Sequence, residues 1–236
     1  MSTPLHIGIV GCSAEGAALC YRTVCAEGAG LLGAYGHPEV TMHTPPLAAY
    51  VHCLESGDVA GVAELMLDSA RKLARAGADF LICPDNTVHL AFAHVEARSP
   101  LPWLHIAEVV ASEAAQRGFT RVGLTGTRWL VESRVYPQKL AARGVACVNP
   151  GDADTAEIAR IIMEELTHGV IKPASLAALQ SVVLRFQQQG CQAVVLGCTE
   201  LPLILDDTNS ALPTLDSTRL LARAALRKAV TGVRPA

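Results

Sequence analysis

Aromatic residues make up only 4% of the 236-residue chain and charged residues only 17%, and the charges nearly cancel at −3. So even a balance gives no basic footprint for nucleic acid or an anionic membrane surface. Long hydrophobic runs are also missing. Glycine, charged or polar residues interrupt every apolar stretch well short of the roughly 18 residues that a bilayer crossing needs, so no membrane partner is expected. The opening Met1-Ser2-Thr3-Pro4-Leu5-His6 lacks a basic segment before its first apolar run. No secretory leader is therefore expected, and the cytoplasm is the expected compartment. Neither CxxC nor HExxH occurs, and the closest cysteines, Cys20 and Cys25, lie five apart in a helical stretch. No metal site is expected. The 8 cysteines are scattered through a chain too large to need stapling, which points to reduced thiols rather than a disulfide framework.

What is present is ample apolar material, 50% of residues, arranged as short apolar runs alternating with longer amphipathic ones. That is the pattern of an α/β protein whose parallel sheet is covered by helices on both faces. Strands are expected at 5–10, 39–43, 79–82, 102–106, 121–124, 145–148, 193–196 and 212–215. Helical periodicity is clearest at 58–76, 107–117, 153–167, 174–189 and 216–229. Pro173 opens a helix, and Gly77, Gly118, Gly144 and Gly190 stand where helices should stop. Strand count divides the chain into one domain of 1–105 plus 216–236 and another of 106–215.

Two segments read as copies of one unit. Gly77 leads through Asp79-Phe80-Leu81-Ile82-Cys83-Pro84 to Asp85-Asn86-Thr87, and Gly190 leads through Ala193-Val194-Val195-Leu196-Gly197 to Cys198-Thr199-Glu200. Counted from each glycine, Asp85 and Cys198 occupy the same place. In open α/β sheets that place is the carboxyl end of a strand, where ligands bind and the following helix presents its N-terminal N–H groups. Such a field favours a thiolate, so Cys198 is the strongest candidate for chemistry. Cys20, Cys25, Cys53, Cys147 and Cys191 read as inert core thiols, and Cys83 as a packed strand end. Asp85 alone would read as a helix cap; its match with Cys198 turns it into a candidate proton carrier. Asn86, Thr87 and Thr199 would then supply donors for a substrate carboxylate.

These turns, with Gly8-Ile9-Val10-Gly11 and Leu124-Thr125-Gly126-Thr127-Arg128, resemble the aspartate/glutamate racemase superfamily, the cofactor-independent amino-acid racemases. The likeness runs over nearly the whole chain, including Glu164-Glu165-Leu166 through Gly169, and Gly-Cys-Thr-Glu is nearer the aspartate racemase branch. It implies two similar Rossmann-like domains with parallel sheets facing across a central cleft, no cofactor, a small carboxylate or amino-acid substrate, and a homodimer. It also implies opposed cysteines, one per domain, acting as acid and base on the substrate α-carbon, with Cys198 as the second. Ser13, Thr127, Glu200 and His43 join Asn86, Thr87 and Thr199 as expected substrate-binding residues.

The chain departs from that pattern where Asp85 replaces the first cysteine. Thr41-Met42-His43-Thr44-Pro45-Pro46 lacks an arginine for a side-chain carboxylate, and His168 stands where some aspartate racemases carry lysine. A thiol and a carboxylic acid start about 4.6 pKa units apart, roughly 6 kcal/mol, whereas two thiols are matched. The expected activity is thus an isomerase that is slow or biased in direction, with Cys198 abstracting and protonated Asp85 donating. Two other readings stay open. One is a related decarboxylase or maleate-type isomerase using Cys198 alone; the other is a carboxylate-binding protein without turnover.

Overall fold

The computed structural model describes residues 3–232. Met1 and Ser2, within the segment read for a leader, and 233–236, the end of the expected first domain, lie outside the described residues. Two compact units emerge: one runs to Ile106 and resumes at Thr218, and the other is Ala107–Ser217.

In the first unit the chain forms β1 (Ile7–Val10), α1 (Ala14–Leu32), β2 (Val40–His43), α2 (Leu47–Glu55), α3 (Val59–Arg75) and β3 (Phe80–Ile82). A 3-10 turn at Thr87–Ala91, α4 (Phe92–Glu96) and β4 (Trp103–Leu104) complete its sheet, which has the order β2-β1-β3-β4 and parallel pairing throughout. Strands β1 and β3 are buried at every residue, which is why they read as continuous apolar runs rather than alternating ones. Helix α3 lays Val62, Met66, Leu67, Ala70 and Leu73 on the sheet at helical spacing and keeps Arg71, Lys72 and Arg75 outward.

The second unit runs α5 (Ile106–Gln116), β5 (Arg121–Thr125), α6 (Arg128–Val131), α7 (Val135–Ala141), β6 (Ala146–Val148) and α8 (Asp152–Arg160). After a π turn at Ile161–Glu165 and a 3-10 turn at Leu166–His168 come α9 (Pro173–Gln188), β7 (Ala193–Leu196), a 3-10 turn at Leu201–Leu203 and β8 (Thr214–Asp216). Its sheet has the order β6-β5-β7-β8, again all parallel. The last helix, α10 (Ser217–Thr231), belongs to the first unit from Thr218 onward. There Leu5 N–H donates to Ala229 O at 2.9 Å, and Arg223 grips Glu27.

The two units share one topology and one register. Gly8 of β1 pairs with Leu81 of β3, and Gly123 of β5 pairs with Val194 of β7. A Cβ at Gly8 would meet Leu81 at 2.6 Å, and one at Gly123 would meet the Phe186 ring at 2.5 Å, so each glycine admits a large neighbour at the same point of the sheet. From that register, Asp85 follows Phe80 by the same five positions that separate Cys198 from Ala193.

All eight expected strands form, and Gly77, Gly118, Gly144 and Gly190 each stop a helix at φ between +71° and +89°. The helix expected at 153–167 ends as an α-helix at Arg160. Beyond it the π turn brings residues five apart into line, and Arg160 bonds Glu165 at 2.6 Å.

Candidate active site

In the first unit the β3 strand ends in a buried turn. Cys83 is fully buried, and burial, reinforced by the Asp85 charge, pushes its thiol well above the ordinary range, so it stays protonated and packed. Asp85 is partly buried, and its Oδ1 accepts from Val88 N–H at 3.2 Å, the capping contact of an acidic residue opening a helical turn. His89 fixes the same turn from inside. Its Nδ1 bonds Asp85 O at 2.7 Å while Nε2 accepts from Ile106 N–H at 3.5 Å, which assigns the Nδ1–H tautomer and a neutral ring. His89 therefore holds the backbone of Asp85. Asn86 and Thr87 are buried beside it at 2% and 7% exposure. Ser13, at the end of β1, caps α1 by accepting from Gly16 N–H at 3.2 Å.

His43 ends β2 on the same edge of the sheet. Its Nδ1 pairs with Ser69 Oγ at 2.9 Å and its Nε2 with Lys72 Nζ at 3.1 Å, so both ring nitrogens are committed to α3. Burial and then the Lys72 charge hold its pKa below the usual histidine value. His43 is thus tied to the helix layer.

In the second unit Gly197 places the Cys198 turn against β5. Its N–H donates to Thr125 O at 2.8 Å, and a Cβ there would stand 2.4 Å from that oxygen. The sequence led us to expect a helix N-terminus after Cys198; the structure corrects this. Pro202 sits in the first turn of a segment that closes as a three-residue 3-10 turn, Leu201–Leu203, too short to carry a helix field. A carboxylate stands there instead, whose like charge disfavours a thiolate and which can act only as acceptor of the thiol proton. Cys198 Sγ donates to Glu200 Oε2 at 2.9 Å, and Thr199 Oγ1 donates to the same oxygen at 2.8 Å. All three residues are buried, yet Cys198 keeps 8% exposure. Glu200, expected at the substrate, is turned toward the thiol and hydroxyl of its own turn. The only signal for this in the sequence is an acidic residue two places after the cysteine. Thr127 caps α6 by accepting from Leu130 N–H at 3.3 Å, as Ser13 caps α1. His168 is exposed and paired with Thr167.

The other cysteines split. Cys20 and Cys191 are buried as expected, whereas Cys25, Cys53 and Cys147 are only partly covered, Cys53 packing against the core of the first unit. No helix among the described residues is long and apolar enough to cross a membrane. Among the same residues no three His, Cys, Asp or Glu side chains gather as a metal site would require.

Comparison with known proteins agrees with this architecture. The family model for Asp/Glu/Hydantoin racemase matches residues 8–225. The chain belongs to that family. A Yersinia pestis protein solved as a candidate Asp/Glu racemase is 30% identical, with a TM-score of 0.88 over 96% of this chain and 100% of that one. An aspartate racemase homologue from Pyrococcus horikoshii OT3 is 28% identical, with a TM-score of 0.81 over 97% and 99% of the two chains. The broad specificity amino-acid racemase RacX of Bacillus subtilis (strain 168) is 26% identical over 161 residues, 67% of this chain and 68% of its own. Glutamate racemase from Francisella tularensis, at 14% identity and a TM-score of 0.68 over 94% and 79% of the two chains, shares the fold.

Proposed function

We propose that this family member is an amino-acid racemase in which Cys198 and Asp85 act as base and acid on opposite faces of the substrate α-carbon. The observation that carries this is their equivalent place, one in each of two units of identical sheet order and register. In the proposed step the Cys198 proton passes to Glu200, the resulting thiolate removes the α-hydrogen, and protonated Asp85 delivers its proton to the carbanion from the other side. Glu200 and Asp85 then return to their starting states by exchange with solvent. Asn86, Thr87 and Thr199, with Ser13 and Thr127 at their turns, hold the substrate carboxylate and ammonium.

The substrate we favour is an amino acid with an uncharged side chain. Thr41 is bonded to His6, Met42 is exposed and apolar, and His43 is occupied, so the end of β2 supplies no free cation for a distal carboxylate. The broad specificity attributed to RacX is consistent with such a site. Because the thiol and the carboxyl are unmatched, the two directions differ in kcat and in KM while the equilibrium ratio of free enantiomers stays at one.

Incubating single enantiomers of a panel of amino acids in D2O tests this. Deuterium should enter the α-position, and both Cys198→Ala and Asp85→Ala should abolish it. Asp85→Cys should bring the forward and reverse rates closer together. Full exchange in Cys198→Ala ends the proposal. The capping bond from Val88 to Asp85 favours a second reading, carboxylate binding without turnover. Calorimetric binding with no exchange at any substrate would select it.

A further inference from the structure

Two buried hydroxyls meet the carboxyl end of β7 in the second unit. Thr125, the last residue of β5, donates from Oγ1 to Val195 O at 2.7 Å, and Ser217, which opens α10, donates from Oγ to Leu196 O at 2.8 Å. Thr125 and Ser217 are 1% and 0% exposed. Because β5 and β8 flank β7, the donors reach successive carbonyls from opposite sides. Gly197 N–H adds its bond to Thr125 O at 2.8 Å. Three bonds thus fix the peptide units between Val195 and Gly197, one residue before the thiol that meets Glu200 at 2.9 Å.

The first unit shows that this sheet order does not require those hydroxyls. Gly8 pairs with Leu81 as Gly123 pairs with Val194, so Val10 occupies the place of Thr125. Likewise Leu104 pairs with Ile82 as Leu215 pairs with Val195, which sets Ile106 in the place of Ser217. Val10 and Ile106 are fully buried and apolar, and the first sheet ends between them. Burying a hydroxyl is favourable only when it is bonded, and an apolar residue of like size fills either place without that demand. In the second unit the chain carries the demand on both sides of the strand that leads to Cys198. The Asp85 turn is held by a different device, the His89 bond to Asp85 O.

We propose that Thr125 and Ser217 are positioning residues for Cys198: by fixing the last peptide units of β7 they set the direction in which the thiol leaves the sheet and keep it at Glu200. Their effect on turnover rests on the proposed role of Cys198 as base; their hold on the thiol does not. Displacing a reacting group by about 1 Å costs up to about 10²-fold in rate. The groups that grip the substrate stay where they are, so the loss falls on kcat rather than on KM.

The test compares Thr125→Val and Ser217→Ala, each of which removes one hydroxyl, with Thr125→Ser, which keeps it. Both apolar variants should lower kcat for α-exchange by about tenfold or more with KM within about threefold, while Thr125→Ser stays within about threefold of the original in both. Alkylation of Cys198, followed by mass spectrometry of its peptide, should quicken by about threefold or more in the apolar variants alone, because a thiol released from Glu200 is more accessible and further from a like charge. An unmoved kcat and alkylation rate in folded Thr125→Val and Ser217→Ala overturns the proposal. So does an equal loss in Thr125→Ser, since side-chain volume would then decide. Should Thr125→Val not fold, Ser217→Ala carries the same test; if neither folds, the hydroxyls serve the sheet and the proposal fails. Quickened alkylation in these variants of a chain that exchanges no amino acid would support the positioning of Cys198 while removing the racemase reading.

Discussion

Cys198 Sγ donates to Glu200 Oε2 at 2.9 Å, inside a turn where the carboxylate is only 4% exposed. A thiol held this way has its proton acceptor in place before substrate arrives, and the acceptor comes from its own loop. Glu200→Gln preserves the shape and removes the acceptor for the proton. If the carboxylate takes the thiol proton, α-exchange should fall by about 10²-fold or more, the usual effect of losing a general base. Thiol alkylation at neutral pH should quicken in the same variant, because the like charge that disfavours the thiolate is gone. Unchanged exchange would leave Glu200 as a packing group.

Gly197 and Gly30 should respond to alanine with opposite signs. A Cβ at Gly197 would stand 2.4 Å from Thr125 O, a backbone atom that cannot retreat without disturbing β5. Gly197→Ala is expected to cost about 1–3 kcal/mol, the range of overpacking, and to displace Cys198. Gly30 lies exposed in α1, where an added methyl meets nothing within 4 Å. Gly30→Ala should stabilise by about 0.5–1 kcal/mol through helix propensity. Urea denaturation of the two variants reads both effects.

The difference between these glycines also bears on what the sequence could convey. The strands were legible because β1, β3 and β7 are buried on both faces and appear as unbroken apolar runs between glycine stops. Helix α1 was visible only as a helical stretch without bounds, since Gly16, Gly28 and Gly30 dilute its periodicity. The short α6 and α7 have too few turns to show one. The parallel between Asp85 and Cys198 was legible from glycine spacing alone. The Glu200 contact was not, because it depends on Pro202 shortening the next turn so that a side chain two positions on folds back over the thiol.

Acid should find the Glu165 network first. Glu165 is 2% exposed and accepts from Ser175 Oγ at 2.5 Å, Arg160 at 2.6 Å and Lys172 at 3.2 Å, tying the π turn to the start of α9. The Ser175 bond first, then Arg160, hold its pKa at about 2, below the ordinary 4.5 of a glutamate. A depressed carboxylate contributes stability that is fully present above its unfolded value and is lost as pH falls through its folded one. Denaturation between pH 5 and pH 2 should therefore show stability declining from near 4.5 toward 2, with Glu165→Gln less stable at neutral pH and flatter across that window. A parallel decline in both proteins would place the acid sensitivity elsewhere.

His43 supplies the complementary case, a base held neutral. Burial and then Lys72 lower its pKa from 6.5, and Asp68 opposes them. Folding thus disfavours the imidazolium. The stability linked to this group is present above the unfolded value near 6.5 and diminishes as pH falls below it. Replacing Lys72 with glutamine removes the positive charge 3.1 Å from Nε2, so the His43 ring resonance should titrate at higher pH and the stability curve below 6.5 should become shallower. With both ring nitrogens bonded to α3, His43→Gln should cost stability while α-exchange stays within about threefold of the original, less than losing a direct substrate contact would give. A large rise in KM in that variant would instead return His43 to the substrate.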